Sequence, residues 1–404
     1  MNTAVLETTS TARRWRAFAI LWFSMFVMAG GLGMVVPILP VFVRDLGATG
    51  VWLGLAFSGF AITQTPLTPI VGRLGDRLGR RRFILAGLSV YVFIGVGLSM
   101  ADSYHIVTLL RMGMGVGAAC MFPSALAMVG ELAPKGHEGR YMGLFMVSFT
   151  AGFGFGPLVG GVLKDNFGVD TTFLALSGAA AVAVLMVTFL LPTVAGASKS
   201  DEQVVPSFRE MAGDLRVWSL MVFNYTFGLG MGSVFTFIAI FMSESLLASA
   251  TLVGVVVGSR AIISSIFQPL FGRLADHMPR SLLVIGGGLL MAAGTEALPL
   301  ATSVAILLVL FLLLGLSESA ALPSSLAITT DLGRIYGYGT LIGFTNAVLI
   351  MGVLTGSVGG SLIESGGSIE DVFRTAGLVI AVGVMAFTIT WSQGRRRAMR
   401  VLQT

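Results

Sequence analysis

Arg111, Arg260 and Glu318 stand where ionisable side chains are costly. Each lies inside an apolar run long enough to cross a bilayer: "LLRMGMGVGAA", "VVGSRAIISS" and "GLSESAALP". A carboxylate shielded from water is suited to carrying a proton, and a guanidinium to holding an anion or that carboxylate. Arg260 and Glu318 have two readings, a structural bridge or a pair in which protonation of Glu318 frees Arg260 for an anionic or polar substrate. Arg111 can equally be tied to backbone carbonyls between helices. Gln64, Asn224, Tyr225, Gln268 and Asn346 add scattered hydrogen-bonding capacity, and Phe57, Phe145, Phe227 and Met146 could form an apolar lining. As a set they suit a large lipophilic ligand better than a sugar, which needs denser polar walls. The single Cys120 and the three scattered histidines offer no disulfide and no metal site. No cofactor is implied.

A second cluster differs in kind. "GRLGDRLGRRR", residues 72–82, places six ionic residues among eleven in a chain that is only 11% charged. Gly72, Gly75 and Gly79 permit a tight turn and close backbone approach. Asp76 can accept hydrogen bonds from helix-terminal N–H groups and from arginine. Arg77, Arg80, Arg81 and Arg82 can hold the loop on an anionic membrane face. No phosphate-cradling loop accompanies it, so nucleotide-driven pumping is not implied.

The elements that position these residues are transmembrane helices. Hydrophobic residues make up 55% of the chain, mean hydropathy is +0.89, and the apolar runs exceed the roughly 20 residues that span a bilayer as a helix. An all-α integral membrane protein follows. Hydropathy predicts twelve spans, at about 17–41, 51–71, 83–100, 106–129, 142–163, 171–191, 217–241, 251–271, 282–300, 303–328, 338–363 and 372–391. The first is read as an uncleaved helix, because Pro37 and Pro40 stand where a signal peptide would carry small residues. Residues 194–216 read as a linker between an N-terminal six-helix bundle, 1–193, and a C-terminal one, 217–404.

Of the 25 Lys and Arg, all but Arg44, Lys164, Arg374 and the intramembrane Arg111 and Arg260 fall on one side of this layout. That side is expected to be cytoplasmic, with both termini, in a plasma (inner) membrane. The pI near 9.7 is thereby an orientation signal, and nucleic acid is excluded as a partner.

The halves repeat at an expected single offset of 200. Gly72, Arg73, Leu74 and Asp76 recur as Gly272, Arg273, Leu274 and Asp276; "PSALA" at 123–127 recurs as "PSSLA" at 323–327. Gly115 recurs as Gly315, and Gly152 and Gly156 as Gly352 and Gly356. Two bundles of the same topology are expected around a pseudo-two-fold axis along the membrane normal, with a central cleft exposed to each side in turn. Glu318 falls opposite Ala118, seven residues beyond Arg111 and so on nearly the same helix face.

On these motifs the whole chain resembles the major facilitator superfamily, in its twelve-span drug:proton antiporter branch. "GRLGDRLGRRRF" is similar to that family's G-x-L-x-D-R-x-G-R-[RK]-x signature, which implies a conformational latch formed by Gly72, Asp76, Arg77, Gly79 and Arg80. "LLRMGMGVGAA" resembles the element R-x-x-Q-G-x-G-A-A, with Met114 in place of glutamine, and implies that Arg111 takes part in proton coupling. "GFGFGPLVGG" matches G-x-x-x-G-P-x-x-G-G at Gly152, Gly156, Pro157, Gly160 and Gly161, the mark of the antiporters, and the second copy lacks the proline, at Ser357. An aspartate common in the first span of relatives is here Met28. The resemblance implies a transporter rather than an enzyme: a proton-coupled exporter of lipophilic, drug-like compounds working by alternating access, with coupling through Arg111, Glu318 and Asp76. The alternative is an exporter or flippase of an amphiphilic lipid or small organic anion. Its expected partners are that small molecule, protons and membrane lipids, and it is expected to act as a monomer.

Overall fold

The computed structural model of the protein describes residues 3–134, 138–191, 211, 213–336 and 338–401, with the backbone alone at 3–12, 73, 76, 138–140, 276, 334, 338–340 and 398–401. Its α-helices are α1 (Thr3–Val35), α2 (Leu39–Asp45), α3 (Val51–Ser58), α4 (Phe60–Leu78), α5 (Arg80–Ser99), α6 (Tyr104–Leu132), α7 (Glu138–Phe167) and α8 (Val169–Leu190). They continue as α9 (Leu215–Ser245), α10 (Ala250–His277), α11 (Arg280–Ala297), α12 (Val304–Tyr336), α13 (Tyr338–Gly366) and α14 (Ile369–Val401). No strand occurs among the described residues. Helices satisfy every backbone group within one segment, which hydrocarbon demands.

Among the described residues, eleven helices are long and apolar enough to cross a membrane. The expected second span, 51–71, is instead divided between α3 and α4. The Ser58 hydroxyl donates back to Gly54 O at 2.8 Å, and the Ile62 N–H bonds Gly59 O, three residues earlier, at 3.2 Å. Gly59 between the two helices keeps helical dihedrals, φ −56° and ψ −26°, so the junction is a local tightening of the ladder rather than a break in the path of the chain. The first span also ends early: α1 stops at Val35, and 36–38 form a turn before α2. Pro37 supplies no N–H to continue the helix.

The chain forms two compact units. Unit 1 comprises 1–39, 59–199 and 249–254; unit 2 comprises 40–58, 200–248 and 255–404. Each is therefore built mainly from one half of the sequence plus a short segment of the other.

Within the units the repeat is visible in backbone crossings. A β-carbon at Gly115 of α6 would collide with Phe60 O of α4, and one at Gly315 of α12 with Arg260 O of α10. Gly87 approaches Gly117 O, and Gly287 approaches Ser317 O. Gly254 of α10 crosses Pro157 O in unit 1, and Gly54 of α3 crosses Ser357 O in unit 2. All of these pairs keep the offset of 200. The first helix of each half departs from it. Gly156 packs on Gly30 O but Gly356 on Leu229 O, and Gly152 on Phe26 O but Gly352 on Tyr225 O. Gly30 to Leu229 and Phe26 to Tyr225 are steps of 199, so the expected gapless overlay is corrected by one residue between α1 and α3.

Candidate functional site

In unit 2 an ion pair joins α10 and α12. The small residue at Gly315 lets the two backbones touch beside Arg260. Arg260 is then sealed in, with 1% of its surface exposed. Its Nε donates to Glu318 Oε2 at 3.0 Å, its guanidinium carbon stands 4.8 Å from the Phe235 ring centroid on α9, and its Nη2 reaches Met291 Sδ on α11 at 3.9 Å. Nη1 is buried with no acceptor among the described residues. Glu318 remains open to entry, its side chain being 18% exposed. The two residues that sequence alone could leave as bridge or functional pair are thus an ion pair whose cation is enclosed and whose acid is accessible.

Unit 1 holds Arg111 on α6, with 2% of its surface exposed. Its guanidinium lies over the Phe60 ring at 5.0 Å, and its Nη1 donates to Met114 Sδ at 3.3 Å. The methionine in place of the expected glutamine therefore remains an acceptor, though a soft one. Tyr91, 1% exposed, lies within electrostatic reach of Arg111, and its hydroxyl is buried with no hydrogen-bond partner among the described residues.

At one end of the helices, Arg80 pairs with Glu131 at 2.8 Å and Arg280 pairs with Asp331. Both members of the second pair are displaced by 200 from those of the first. The turns that feed the two pairs differ. Gly79 has φ +95° and closes α4 with its N–H on Gly75 O, whereas Pro279 has φ −57°. Gly72 is a partly buried position with open space around it, and Arg77 is exposed. The side chain of Asp76 lies outside the described residues.

The glycines of α7 make a packing face. Gly152, Gly156 and Gly160 touch the α1 backbone at Phe26, Gly30 and Met34, and Gly161 takes the start of α10 at Ala250. Pro157 lies against the same part of α1, at Gly33.

The expected cleft residues do not form one cluster. Asn224 is buried and already occupied, donating to Leu220 O at 2.8 Å and Ser325 Oγ at 3.1 Å. Gln64 in unit 1, and Tyr225 and Gln268 in unit 2, are half-buried, while Asn346 in unit 2 is exposed. Phe145 and Phe227, expected as lining, are both 0% exposed and belong to the helix-packing core; Phe57 is buried and Met146 partly exposed.

The profile of the Major Facilitator Superfamily matches residues 21–246 and 219–400. The chain belongs to that family.

Two of the relatives align with about nine-tenths of the chain. A Staphylococcus aureus protein named staphyloferrin B transporter is 26% identical over 387 residues, covering 91% of each chain. A Streptococcus pneumoniae protein named multi-drug resistance efflux pump PmrA is 25% identical over 383 residues, covering 90% of this chain and 92% of its own. The fold is similar to that of a bacterial homolog to the human lysosomal transporter Spinster, crystallised in an inward-facing and occupied conformation. That match has a TM-score of 0.78 at 13% identity and covers 94% of this chain and 96% of that one. This Major Facilitator Superfamily chain is accordingly a multi-pass membrane transporter.

Several polar contacts of the transporter escaped the reading of its sequence. Arg44, seen only as a charge on the less basic side, reaches Glu244 at 3.3 Å and Glu364 at 3.1 Å, all within unit 2. Asp165 accepts from the Ala250 and Thr251 N–H groups at 3.2 and 2.7 Å, capping α10 within unit 1. The Arg80–Glu131 and Arg280–Asp331 pairs carried a signal that could have found them, since an arginine and an acid both recur at 200. Arg44 and Asp165 had none, because their partners are set by helix register.

Proposed function

We propose that the chain is a proton-coupled exporter of lipophilic compounds, working by alternating access, with Glu318 as the proton-carrying acid and Arg260 as its counter-charge. Arg111 supplies a fixed charge in the N-terminal half, and the segment 72–80, the end of α4 with the turn at Gly79, acts with Asp76 as a conformational latch. The termini and the arginine-rich loops face the cytoplasm, in line with the positive-inside pattern. Residues 1–193 and 217–404 serve as the two moving bundles, joined by 194–216, and the transporter works as a monomer in a cytoplasmic membrane.

The observation that carries this reading is the Arg260–Glu318 pair. Removing one partner of a buried ion pair leaves the other charge uncompensated, at a cost of about 3–5 kcal/mol. Protonating Glu318 removes that partner chemically and reversibly. The arrangement with a neutral acid must then either rearrange or accept another partner for Arg260, which is the coupling a transporter needs. The multidrug efflux pump among the relatives supports a lipophilic cargo.

The test is efflux of a lipophilic dye from proteoliposomes with and without an imposed pH gradient, comparing the native chain with Glu318→Gln. Gradient-driven efflux that falls in the variant to the rate without a gradient is expected. Efflux in Glu318→Gln that still follows the gradient moves coupling to Asp76 and Arg111.

A second reading, export of an amphiphile or small organic anion, is favoured by the buried Arg260 Nη1, which has no acceptor among the described residues, and by Met28 in place of a first-span acid. Competition of the dye by an anionic rather than a cationic amphiphile, lost in Arg260→Gln, would select it.

A further inference from the structure

Unit 2 contains a second polar site, lined by residues other than Arg260 and Glu318. A cavity of about 290 Å³ opens where the start of α9, the start of α11, the end of α12 and the last turns of α14 meet. Its wall carries three guanidinium groups, Arg216, Arg280 and Arg395, and one carboxylate, Asp331. Ile328 and Trp391 form an apolar side.

Two of the arginines are held in place by other contacts. Arg280 is anchored on Asp331 and on Ala327 O at 3.1 Å. Arg216 is anchored on Asp214 through two of its nitrogens, at 2.7–3.1 Å. These contacts fix the positions of the guanidinium groups without using all five N–H donors of either. Arg395 is exposed and has no ion-pair or hydrogen-bond partner among the described residues. The Trp391 indole N–H is buried beside it with no acceptor among the described residues. The wall therefore offers a surplus of oriented donors and positive charge around a space, with an apolar flank on one side. That combination matches a phosphate ester: guanidinium forks take two phosphate oxygens at once, and the apolar side takes the carbon skeleton of the ester.

The cavity is also asymmetric in the repeat. The positions 200 residues before Trp391 and Arg395 are Leu191 and Ala195, while that before Arg280 is Arg80. The donor set at the end of α14 thus belongs to the C-terminal half alone, and the shared repeat architecture does not require it.

We infer that this cavity binds a phosphate ester, as carried by the headgroup of an anionic phospholipid in the inner leaflet. The choice of leaflet rests on the orientation proposed above; binding in detergent does not, so failure of one is distinguishable from failure of the other.

Native mass spectrometry of the full chain in detergent tests it, with dioctanoylphosphatidylglycerol as the probe and dioctanoylphosphatidylcholine as the neutral comparison. Native protein is expected to retain the glycerol lipid in preference to the choline lipid. Arg395→Gln should weaken that retention about tenfold, the loss of one charge-assisted contact. Arg395→Lys should restore part of it, and Arg397→Gln, on the same helix but outside the cavity wall, should leave it unchanged. Arg395 is exposed, so its variants fold even if Arg280→Gln, which frees Asp331, does not. Inorganic phosphate that displaces the lipid assigns the site to free phosphate as well; phosphate that fails to displace it reserves the site for the headgroup. Equal retention by native protein, Arg395→Gln and Arg397→Gln, or no preference over phosphatidylcholine, overturns the inference.

Discussion

The two units build the same layer of three helices and put the charge in different places. In unit 1 the layer holds Phe60 on α4, Tyr91 on α5 and Arg111 on α6; at the positions 200 residues on, unit 2 holds Arg260 on α10, Met291 on α11 and Phe311 on α12. Arginine and phenylalanine have changed places across the same backbone crossing, the one permitted by Gly115 and Gly315. Each arginine lies against an aromatic ring and a methionine sulfur. Unit 2 alone adds Glu318 at 3.0 Å, where unit 1 has Ala118. A guanidinium keeps its charge at any physiological pH, so it cannot carry a proton in a cycle. A carboxylate can. On the function proposed above, one scaffold supplies a constant charge in unit 1 and a switchable charge in unit 2.

The largest expected effect breaks that switch. Glu318→Ala leaves Arg260 enclosed and unpaired, and should destabilise the protein by about 3 kcal/mol, the lower end for buried pairs because Glu318 is partly accessible. Replacing both members, Arg260→Met with Glu318→Leu, should recover most of that stability while abolishing gradient-driven transport. Thermal unfolding in detergent measures the first quantity and proteoliposome efflux the second. If the double variant is no more stable than Glu318→Ala, the pair is not the unit of energy.

The next effect tests whether the two crossings are equivalent. Gly115→Ala and Gly315→Ala each push a β-carbon into a backbone carbonyl, at Phe60 and Arg260 respectively. Backbone cannot swing aside as a long side chain can, so each should cost about 1–3 kcal/mol. Near-equal losses in unfolding temperature are expected. A loss confined to Gly315→Ala would show that strain there acts through the Arg260–Glu318 pair rather than through helix packing.

Much of this layout was legible before any coordinates. The apolar runs fixed the membrane class, and the glycines at 115 and 315 marked equivalent crossings because close backbone approach has one chemical solution. The Arg260–Glu318 pair was open to reading for a related reason: two opposite charges in hydrocarbon have few other partners. Three features were hidden. The step of 199 in the first helix of each half leaves no trace in motifs that all lie later in the chain. Phe145 and Phe227 look the same in sequence whether they line a cleft or fill a core. Arg44 with Glu244 and Glu364 joins three separate segments, which only the tertiary fold brings together.

A smaller effect asks how much the thioether at Met114 matters to the fixed charge. Met114→Leu conserves volume and removes the acceptor for Arg111 Nη1; Met114→Gln restores the family's usual residue and a stronger acceptor. Volume-conserving swaps cost less than about 1.5 kcal/mol, so stability should change little in either. Gradient-driven efflux should fall modestly in Met114→Leu and be kept in Met114→Gln. Equal activity in all three would mean that Phe60 and the other surroundings of Arg111 hold it unaided.

The smallest expected effect lies outside the membrane layer, at the start of α9. Burial opposes ionisation of Asp214, but hydrogen bonds from the Arg216 side chain and N–H, the Arg216 charge and the Tyr336 hydroxyl outweigh it and hold the carboxyl below its ordinary value of 3.8. Asp214 also caps the helix through the Arg216 N–H at 2.8 Å. A carboxylate whose pKa is lower folded than unfolded stabilises the fold fully above the unfolded value and progressively less as pH falls through the folded one. Stability from this group is thus present at neutral pH and lost below about pH 4. The Asp214 side chain is only 11% exposed, but it is one carboxylate among many, so its share of the slope should be shallow. Unfolding temperature measured from pH 6 to pH 3 should fall less steeply in Asp214→Asn than in the native chain, the asparagine keeping the cap but not the charge. Identical slopes would assign the acid sensitivity to other carboxylates.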